Sequence, residues 1–481
     1  EQYPADVYSD ILKKAGADQN AYTTDDYTNY HITFTKDDLE KVIEIEADRF
    51  QNLVYTEEMF RTEALAVKGE YLKNISNPIL MMFERISDLM FEEHTYKHTT
   101  MGLLEDIEVM PDQIEYSHVF FDRWYRPEKS AVILVGDLDP EATFALVEQY
   151  WGDWERGDYE QEIPVEPPLG GPKYEHYQWD SPTQPWLVMA FRGPAFIATE
   201  KDMPALDLVQ AIYFSESSDL YQQLVIEDQS VDQLFGYFPN QKDPGMLLIA
   251  ARLTDEAHAA DVRDAVNQTI VTARTQLVDA KKIEETKSRL RYSFTSGLGS
   301  SGDIGEMLAS FVHYDRTPEI VNDVYRTYDS LSASDVRDIA NKYFVDDSRV
   351  TFTLSSNDDM EGIDGMTSVD ELVAAVGMAD ASETVADSGD DVSLPAPDVA
   401  PEDASPVSFV AKPSASSPLV DMSFLVHAGA GFDPGGKKGL ATLTAMMIAD
   451  GGSQARTINE INEAMFPMAA GFNAQVDKEM T

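Results

Sequence analysis

The pattern of apolar and polar positions predicts mostly helices in the first 150 residues, interrupted by short strands. Residues 5–15 read as a short helix. TNYHITFT alternates, with Tyr30, Ile32 and Phe34 on one face, which predicts a half-buried strand. Thr35 followed by Asp38 has the spacing of a helix-capping pair, and Leu39, Val42, Ile43, Ala47 and Phe50 then mark an amphipathic helix. FRTEALAVKGEYLKNISNP (60–78) predicts a helix stopped by Ser-Asn-Pro, with Met59, Leu65, Ala66 and Leu72 at helical spacing. Further helices are expected over 79–91 and 112–124. AVILVGDL (131–138) reads as a buried strand, and EATFALVEQYW as a helix.

Residues 157–185 are rich in Pro, Gly and acids, so a boundary is expected there. A second unit repeats the mixture. LVMAFRG, FGYFP, MLLIAARL and RVTFTLS predict strands, with helices over 204–227, 255–294 and 332–343 between and after them. Antiparallel sheets with helices grouped against them predict an α+β fold. Asp, Ser, Ala and Pro dominate 356–405, the composition of a linker. The expected organisation is therefore a first unit at 1–165, a second at 166–355, a linker at 356–405 and a third block at 406–481.

The third block echoes the start. GADQNAYTTDDYT (16–28) aligns with AGFNAQVDKEMT (470–481), and the helices before them, DVYSDILKKAG and INEINEAMFPMAAG, match in length and polarity. Before its helix the second copy has FLVHAGAGFDPGGKKGLATLTAMMIADGG (424–452), which predicts a strand, a Gly-rich turn and an amphipathic helix. By this repeat the first copy lacks its opening strand and first helix. With Glu1 at one end and DKEMT at the other, the 481 residues read as part of a longer chain.

Composition narrows the function. A net charge of −50 argues against nucleic acid and anionic membranes, which would both be repelled. No run of eighteen apolar residues predicts a membrane span. The acidic residues are spread along the whole chain, which suggests a salt-rich habitat where counter-ions screen self-repulsion. Equal resistance to urea in low and high salt would count against that idea. No cysteine is present, so disulfides and thiolate metal sites are excluded.

The candidate chemistry lies on the acidic helix. Glu63 and Glu70 are seven residues apart, close to two turns, so both carboxylates leave nearly one face about 10 Å apart along the axis. One small cation cannot take both: one can ligate a metal, the other can only support it. Taken alone, such a pair is an ordinary solvated acidic face. Other motifs carry less. Gly297 to Gly302 spells G-x-G-x-x-G but follows a helix, so it reads as a mobile loop rather than a dinucleotide site. His94 and His98 have zinc-like spacing in loop-like surroundings. His427 reads as a surface or packing residue, and Asn74 and Asn267 as chance matches to the glycosylation pattern.

The ordered motifs together resemble the insulinase/pitrilysin family of zinc metallopeptidases, the inverzincins. Gly16 is followed by Asn20-Ala21-Tyr22-Thr23, and Glu63 and Glu70 precede Asn77-Pro78. Tyr125-Arg126-Pro127 comes before Val135-Gly136-Asp137, and SSDLYQQL (217–224) looks like the family's second unit. The resemblance covers nearly the whole chain outside the linker. It implies a zinc site made of H-x-x-E-H on one helix and a distal glutamate on another. By resemblance Glu70 is the third zinc ligand and Glu63 a supporting carboxylate. Asn20 and Ala21 belong to an edge strand where an unfolded peptide adds as an extra strand, although a turn-capping role for Asn20 stays open. In the repeat, Thr442, Ala445 and Met446 stand where His, Glu and His would be, so that half resembles the inactive partner half.

The implied function is a zinc endopeptidase that encloses unfolded peptides between two halves of one chain, in a periplasmic or exported setting. Its zinc would lower the pKa of bound water to about 7. The alternative is a non-catalytic structural or processing partner of the same family. With one zinc ligand and no general base, the 481 residues alone are expected to be inactive.

Overall fold

WLVMAFR and MLLIAARL are apolar at nearly every position, as strands covered on both faces must be. They form β4 (Trp186–Arg192) and β6 (Met246–Leu253), the centre of a five-stranded sheet with β3 (Lys173–Gln178), β5 (Val231–Tyr237) and β7 (Arg349–Ser355). The order is β3-β7-β4-β6-β5. β3 runs parallel to β7 and the other pairs are antiparallel. The computed structural model describes residues 3–363, 367–377, 411 and 420–480.

The preceding chain forms α1 (Ala5–Lys14), a hairpin of β1 (Asp18–Thr23) and β2 (Thr28–Thr33), then α2 (Leu39–Gln51), α3 (Glu57–Asn74) and α4 (Pro78–Met90). α5 (Leu104–Val109), α6 (Ile114–Trp124) and α7 (Pro140–Trp151) follow. Between and after the strands of the large sheet come α8 (Asp202–Tyr213), α9 (Asp219–Tyr221) with a π-turn, α10 (Ala259–Thr275), α11 (Ala280–Ser296), α12 (Ser301–Asp315), α13 (Ile320–Ser330), α14 (Ala333–Tyr343) and α15 (Val369–Val376). The last part holds α16 (Leu440–Ala449) and α17 (Ile458–Met465). The fold is α+β.

The chain divides into two units, Glu1–Lys287 with Ser300–Met378, and Ser288–Gly299 with Ala379–Thr481. In the first, α4 lays Met82, Ile86 and Met90 across one face of the sheet, against Trp186, Val188, Ala190, Leu248, Val350 and Phe352. On the apolar positions of the opposite face, Leu187, Met189, Phe191, Leu247 and Ile249 are equally buried. A smaller core of Leu12, Val42 and Ile45, with Ile32 and Phe34, joins α1, the hairpin and α2.

Several expectations change. AVILVGDL forms no strand: among the described residues no ladder partner lies beside it, and Val132 is 45% exposed. β3 lies inside the stretch expected as a boundary, and α15 inside the stretch expected as linker. α15 is docked by Asp346, which accepts from the Asp370 N–H (3.0 Å) and the Ser368 hydroxyl (2.6 Å), and by Arg274, which pairs with Asp370 (2.6 Å). Of the rest of the expected linker, 356–363, 367–368 and 377 are described, and the remainder lies outside the described residues. The glycine-rich run at 297–302 ends in the first turn of α12, whose N-cap Ser300 accepts from the Asp303 N–H.

In the second unit α17 matches the helix expected from the repeat, opened by a Thr457–Glu460 capping box. The strand expected at the start of 424–452 is not formed. Instead the N–H groups of Ala430 and Gly431 donate to the carbonyls of Asp477 and Lys478, both at 2.8 Å. A side chain at Gly431 would place its Cβ 2.5 Å from the Lys478 oxygen, so this approach requires glycine. On α16, Ala445 is buried, while Thr442 and Met446 face outward.

Candidate active site: an acidic helix and an open strand edge

α3 begins where the Thr56 hydroxyl accepts from the Met59 N–H (3.2 Å), and it ends before Asn77, which caps α4 with Pro78 in its first turn. The buried side of α3 is Ala64 and Tyr71. Tyr71 donates to the Glu84 carboxylate of α4 (3.0 and 3.1 Å), and burial pushes its phenol up to about 12. Lys68 pairs with Glu108 (3.0 Å) and Arg61 with Asp112 (2.8 Å), tying the helix to α5 and the turn after it. The apolar positions singled out by spacing lie on the other side: Met59, Leu65 and Leu72 are 47%, 60% and 48% exposed.

Glu63 and Glu70 share that outward surface. Both are exposed, and among the described residues neither makes a hydrogen bond or an ion pair. Glu57, Glu84 and Glu108 nearby are all engaged. Two free carboxylates on a fixed helix are suitable hard donors for a divalent cation. They do not complete a site: no group of three or more His, Cys, Asp or Glu able to hold a metal occurs among the described residues.

Asn20 and Ala21 sit on β1, opposite His31 and Tyr30 of β2. Among the described residues β1 pairs with β2 alone, which leaves its other side an open edge, and both residues are exposed. The Ala21 N–H donates to the Asn20 side-chain oxygen (2.9 Å), so the asparagine covers its own strand. This is a local Asx-type contact, and an added strand would have to displace it.

The hairpin is fixed at its turn, by groups the sequence reasoning missed. Asp25 accepts from the Gln241 amide (2.6 Å); Asp26 accepts from the Tyr96 hydroxyl (2.6 Å) and the Lys242 N–H (2.9 Å). Tyr27 stacks on His313 of α12 with centroids 4.5 Å apart, and His31 lies 3.5 Å from Glu306. Burial raises the Asp25 carboxyl and lowers the His313 imidazole, although the Asp26 charge opposes the latter. The adjacent Asp-Asp before Tyr27 was the available signal for an anchored turn. α3 packs on α5, α6 and the turn at 110–112, whereas α12 packs on β2, so helix and edge strand have separate supports. His94 is no metal ligand candidate: its Nδ1 accepts from the Tyr96 N–H (3.1 Å) and its Nε2 lies 3.4 Å from Asp243. Asn267 is 1% exposed, which closes it to glycosylation.

Residues 1–103 match the family model described as insulinase (peptidase family M16), and 115–290 match the model of the M16 inactive domain. This chain belongs to the insulinase family. The zinc protease PqqE of Helicobacter pylori is 25% identical over 73% of this chain and 79% of its own. An uncharacterized zinc protease of Bacillus subtilis, YmfH, is 22% identical over 70% of this chain and 78% of its own. Among solved structures, a protease from Helicobacter pylori superposes with a TM-score of 0.67 at 24% identity, covering 74% of this chain and 86% of that one. The first half of the periplasmic protease PqqL from Escherichia coli gives 0.62 at 13% identity, covering 78% and 84%. These likenesses show the insulinase-family fold. Both carboxylates and the open strand lie within the first match, and β3 to β6 within the second. No helix among the described residues is long and apolar enough to cross a membrane.

Proposed function

We propose that the parent protein is a zinc-dependent endopeptidase of unfolded peptides. In this reading Glu70 supplies one zinc ligand and Glu63 supports it. The His-x-x-Glu-His motif is contributed by a helix outside these 481 residues. Substrate adds as a strand beside Asn20 and Ala21, through main-chain hydrogen bonds that tolerate many sequences. The observation that carries the reading is the pair of unengaged carboxylates two turns apart on α3, while the neighbouring Glu57, Glu84 and Glu108 are engaged. Relatives named as zinc proteases support it. The match to an inactive domain falls on 115–290, away from Glu63 and Glu70, so it does not favour a non-catalytic partner. A periplasmic or exported setting, and closure of two halves around the peptide, belong to the same proposal.

The test uses the full-length gene product. Zinc content and cleavage of an unstructured peptide are measured for the parent and for Glu70→Gln, with circular dichroism to verify folding. Loss of both zinc and cleavage in a folded variant is expected. Full zinc occupancy and unchanged cleavage would remove Glu70 from the metal.

A further inference from the structure

Away from α3 and β1, the first unit encloses an open cavity of about 420 Å3 between the 127–130 turn, the end of α7 and the end of α12. Its walls include Trp151, Trp154, Glu128, Arg156 and Arg316. Two polar atoms of these residues are buried without a partner: the Trp151 indole N–H and Glu128 Oε2. A buried polar group without a hydrogen bond costs roughly 1–3 kcal/mol, so each such atom asks for an explanation.

The surroundings are built rather than loose. Glu128 Oε1 accepts from the Gly157 N–H (2.9 Å), which orients the carboxylate and leaves its second oxygen free. At Gly157 a Cβ would meet Glu128 Oε1 and Arg126 Cγ at 3.1 Å, so a side chain there would push the carboxylate aside by a few tenths of an ångström. Arg316 caps α12 in the left-handed region, φ 40°, where non-glycine residues are uncommon. Its guanidinium is spent on the carbonyls of Glu128 (2.5 Å), Pro127 (3.3 Å) and Ser130. Arg156, in contrast, makes no hydrogen bond or ion pair with another described side chain. Trp151 and Trp154 meet edge to face, with centroids 5.5 Å apart, and form an apolar corner. Burial opposes ionisation of Glu128, but its own backbone N–H, the Gly157 N–H and the Arg156 charge outweigh it and hold its pKa below the ordinary value.

The charge here runs against the rest of the molecule. The chain carries −50, yet this cavity sets two guanidinium groups against one carboxylate. A ligand that satisfies every open group needs an anionic end for Arg156 and the Trp151 N–H. It also needs a nearby N–H donor for Glu128 Oε2 and an apolar side chain for the indole corner. We infer that this cavity binds the carboxylate end of an apolar amino acid or short peptide. A free amino acid and a peptide terminus share this chemistry. The inference stands apart from the metal reading, because no group in it lies on α3 or β1.

Calorimetry and indole fluorescence on the full chain test it with leucine, the dipeptide Ala-Leu, Ala-Leu amide and acetate. Saturable binding of leucine or Ala-Leu is expected, the stronger of the two naming the source. Binding at least tenfold weaker is expected for Ala-Leu amide, and for acetate, which lacks donor and side chain. Arg156→Ala and Glu128→Gln should each weaken binding about tenfold or more, a 1.4 kcal/mol change, with the far-ultraviolet spectrum unaltered. Trp151→Phe keeps the apolar wall and removes the donor, so it should act in the same direction. No saturable binding up to about 10 mM, where ligands of millimolar Kd would register, would overturn the inference. Equal affinity for the amide, or undiminished binding in Arg156→Ala and Glu128→Gln, would overturn it as well.

Discussion

Ile86→Ala is the sharpest probe of how the acidic helix is held. Ile86 is fully buried where α4 crosses the sheet, among Met82, Met90, Trp186 and Phe352. Truncation removes three carbon groups from a closed environment, about 0.8 kcal/mol each in transfer free energy, or ~2.4 kcal/mol. The cavity left behind adds to this, because strands paired on both sides relax little, so about 3–4 kcal/mol is expected within the 2–5 range for such changes. That is a large fraction of a typical stability of roughly 5–15 kcal/mol. With a urea slope of about 2–3 kcal/mol/M, the midpoint should fall by roughly 1–2 M. Circular dichroism and the fluorescence of Trp186, which sits in the same cluster, would follow the transition. Leu72→Ala on the outer side of α3, 48% exposed, serves as the control and should stay within about 0.5 kcal/mol. Because Asn77 and Pro78 join α3 directly to α4, loosening α4 should also lower the peptidase activity proposed for the full-length protein. A midpoint shift for Ile86→Ala no larger than for Leu72→Ala would refute the docking of α4 on this sheet.

Three further outcomes are expected. Glu63→Gln should reduce zinc affinity or activity of the full-length protein about 10–100-fold, the range for groups that support a ligand, and a complete loss equal to that of Glu70→Gln would assign it a ligand's role instead. Asp346→Ala should cost about 3–5 kcal/mol in chemical denaturation, because it strands the Arg349 guanidinium, 2% exposed, without its 3.1 Å partner; a cost under about 1 kcal/mol would refute this. Burial lowers the His313 pKa in the folded state, so the unfolded chain takes up the proton first. Stability should therefore be complete above about pH 6.5 and decline as the pH falls below it. His313→Phe keeps the stack on Tyr27 and should flatten that decline between about pH 7 and 5, as read by urea midpoints; an unchanged slope would count against the burial argument.

The elements most legible in the sequence were those whose own residues decide them. β4 and β6 are apolar runs, and a covered sheet leaves such runs no alternative, while β7, RVTFTLS, shows the alternation of a strand. Elements decided by a partner were not legible. AVILVGDL has the composition of a strand, but a strand exists only beside another. β3, KYEHYQ, looks polar because it lies at the sheet edge and is half-buried, and pairing with β7 is what makes it a strand. α15 hides in an acidic, Ala-rich stretch, and its anchor is Arg274, far away in the chain. On α3 the spacing of Leu65 and Leu72 marks the helix, yet the buried positions are Ala64 and Tyr71. For the candidate site, the two carboxylates and the strand edge were singled out by the family resemblance, while the turn contacts through Asp25, Asp26 and His313 depend on tertiary approach and left only the Asp-Asp pair as a trace.

The strand order has a cost during synthesis. β3 leaves the ribosome early, but β7, its one strand neighbour among the described residues, follows about 170 residues later, which at 5–20 residues per second is a delay of roughly 10–30 s. α4 emerges earlier still, and its Met82, Ile86 and Met90 stay uncovered until the sheet they rest on has been made. The nascent protein therefore carries a greasy helix and an unmatched ribbon for much of its translation, and a holdase chaperone that shields 78–90 should raise the yield of folded product more than one acting after release.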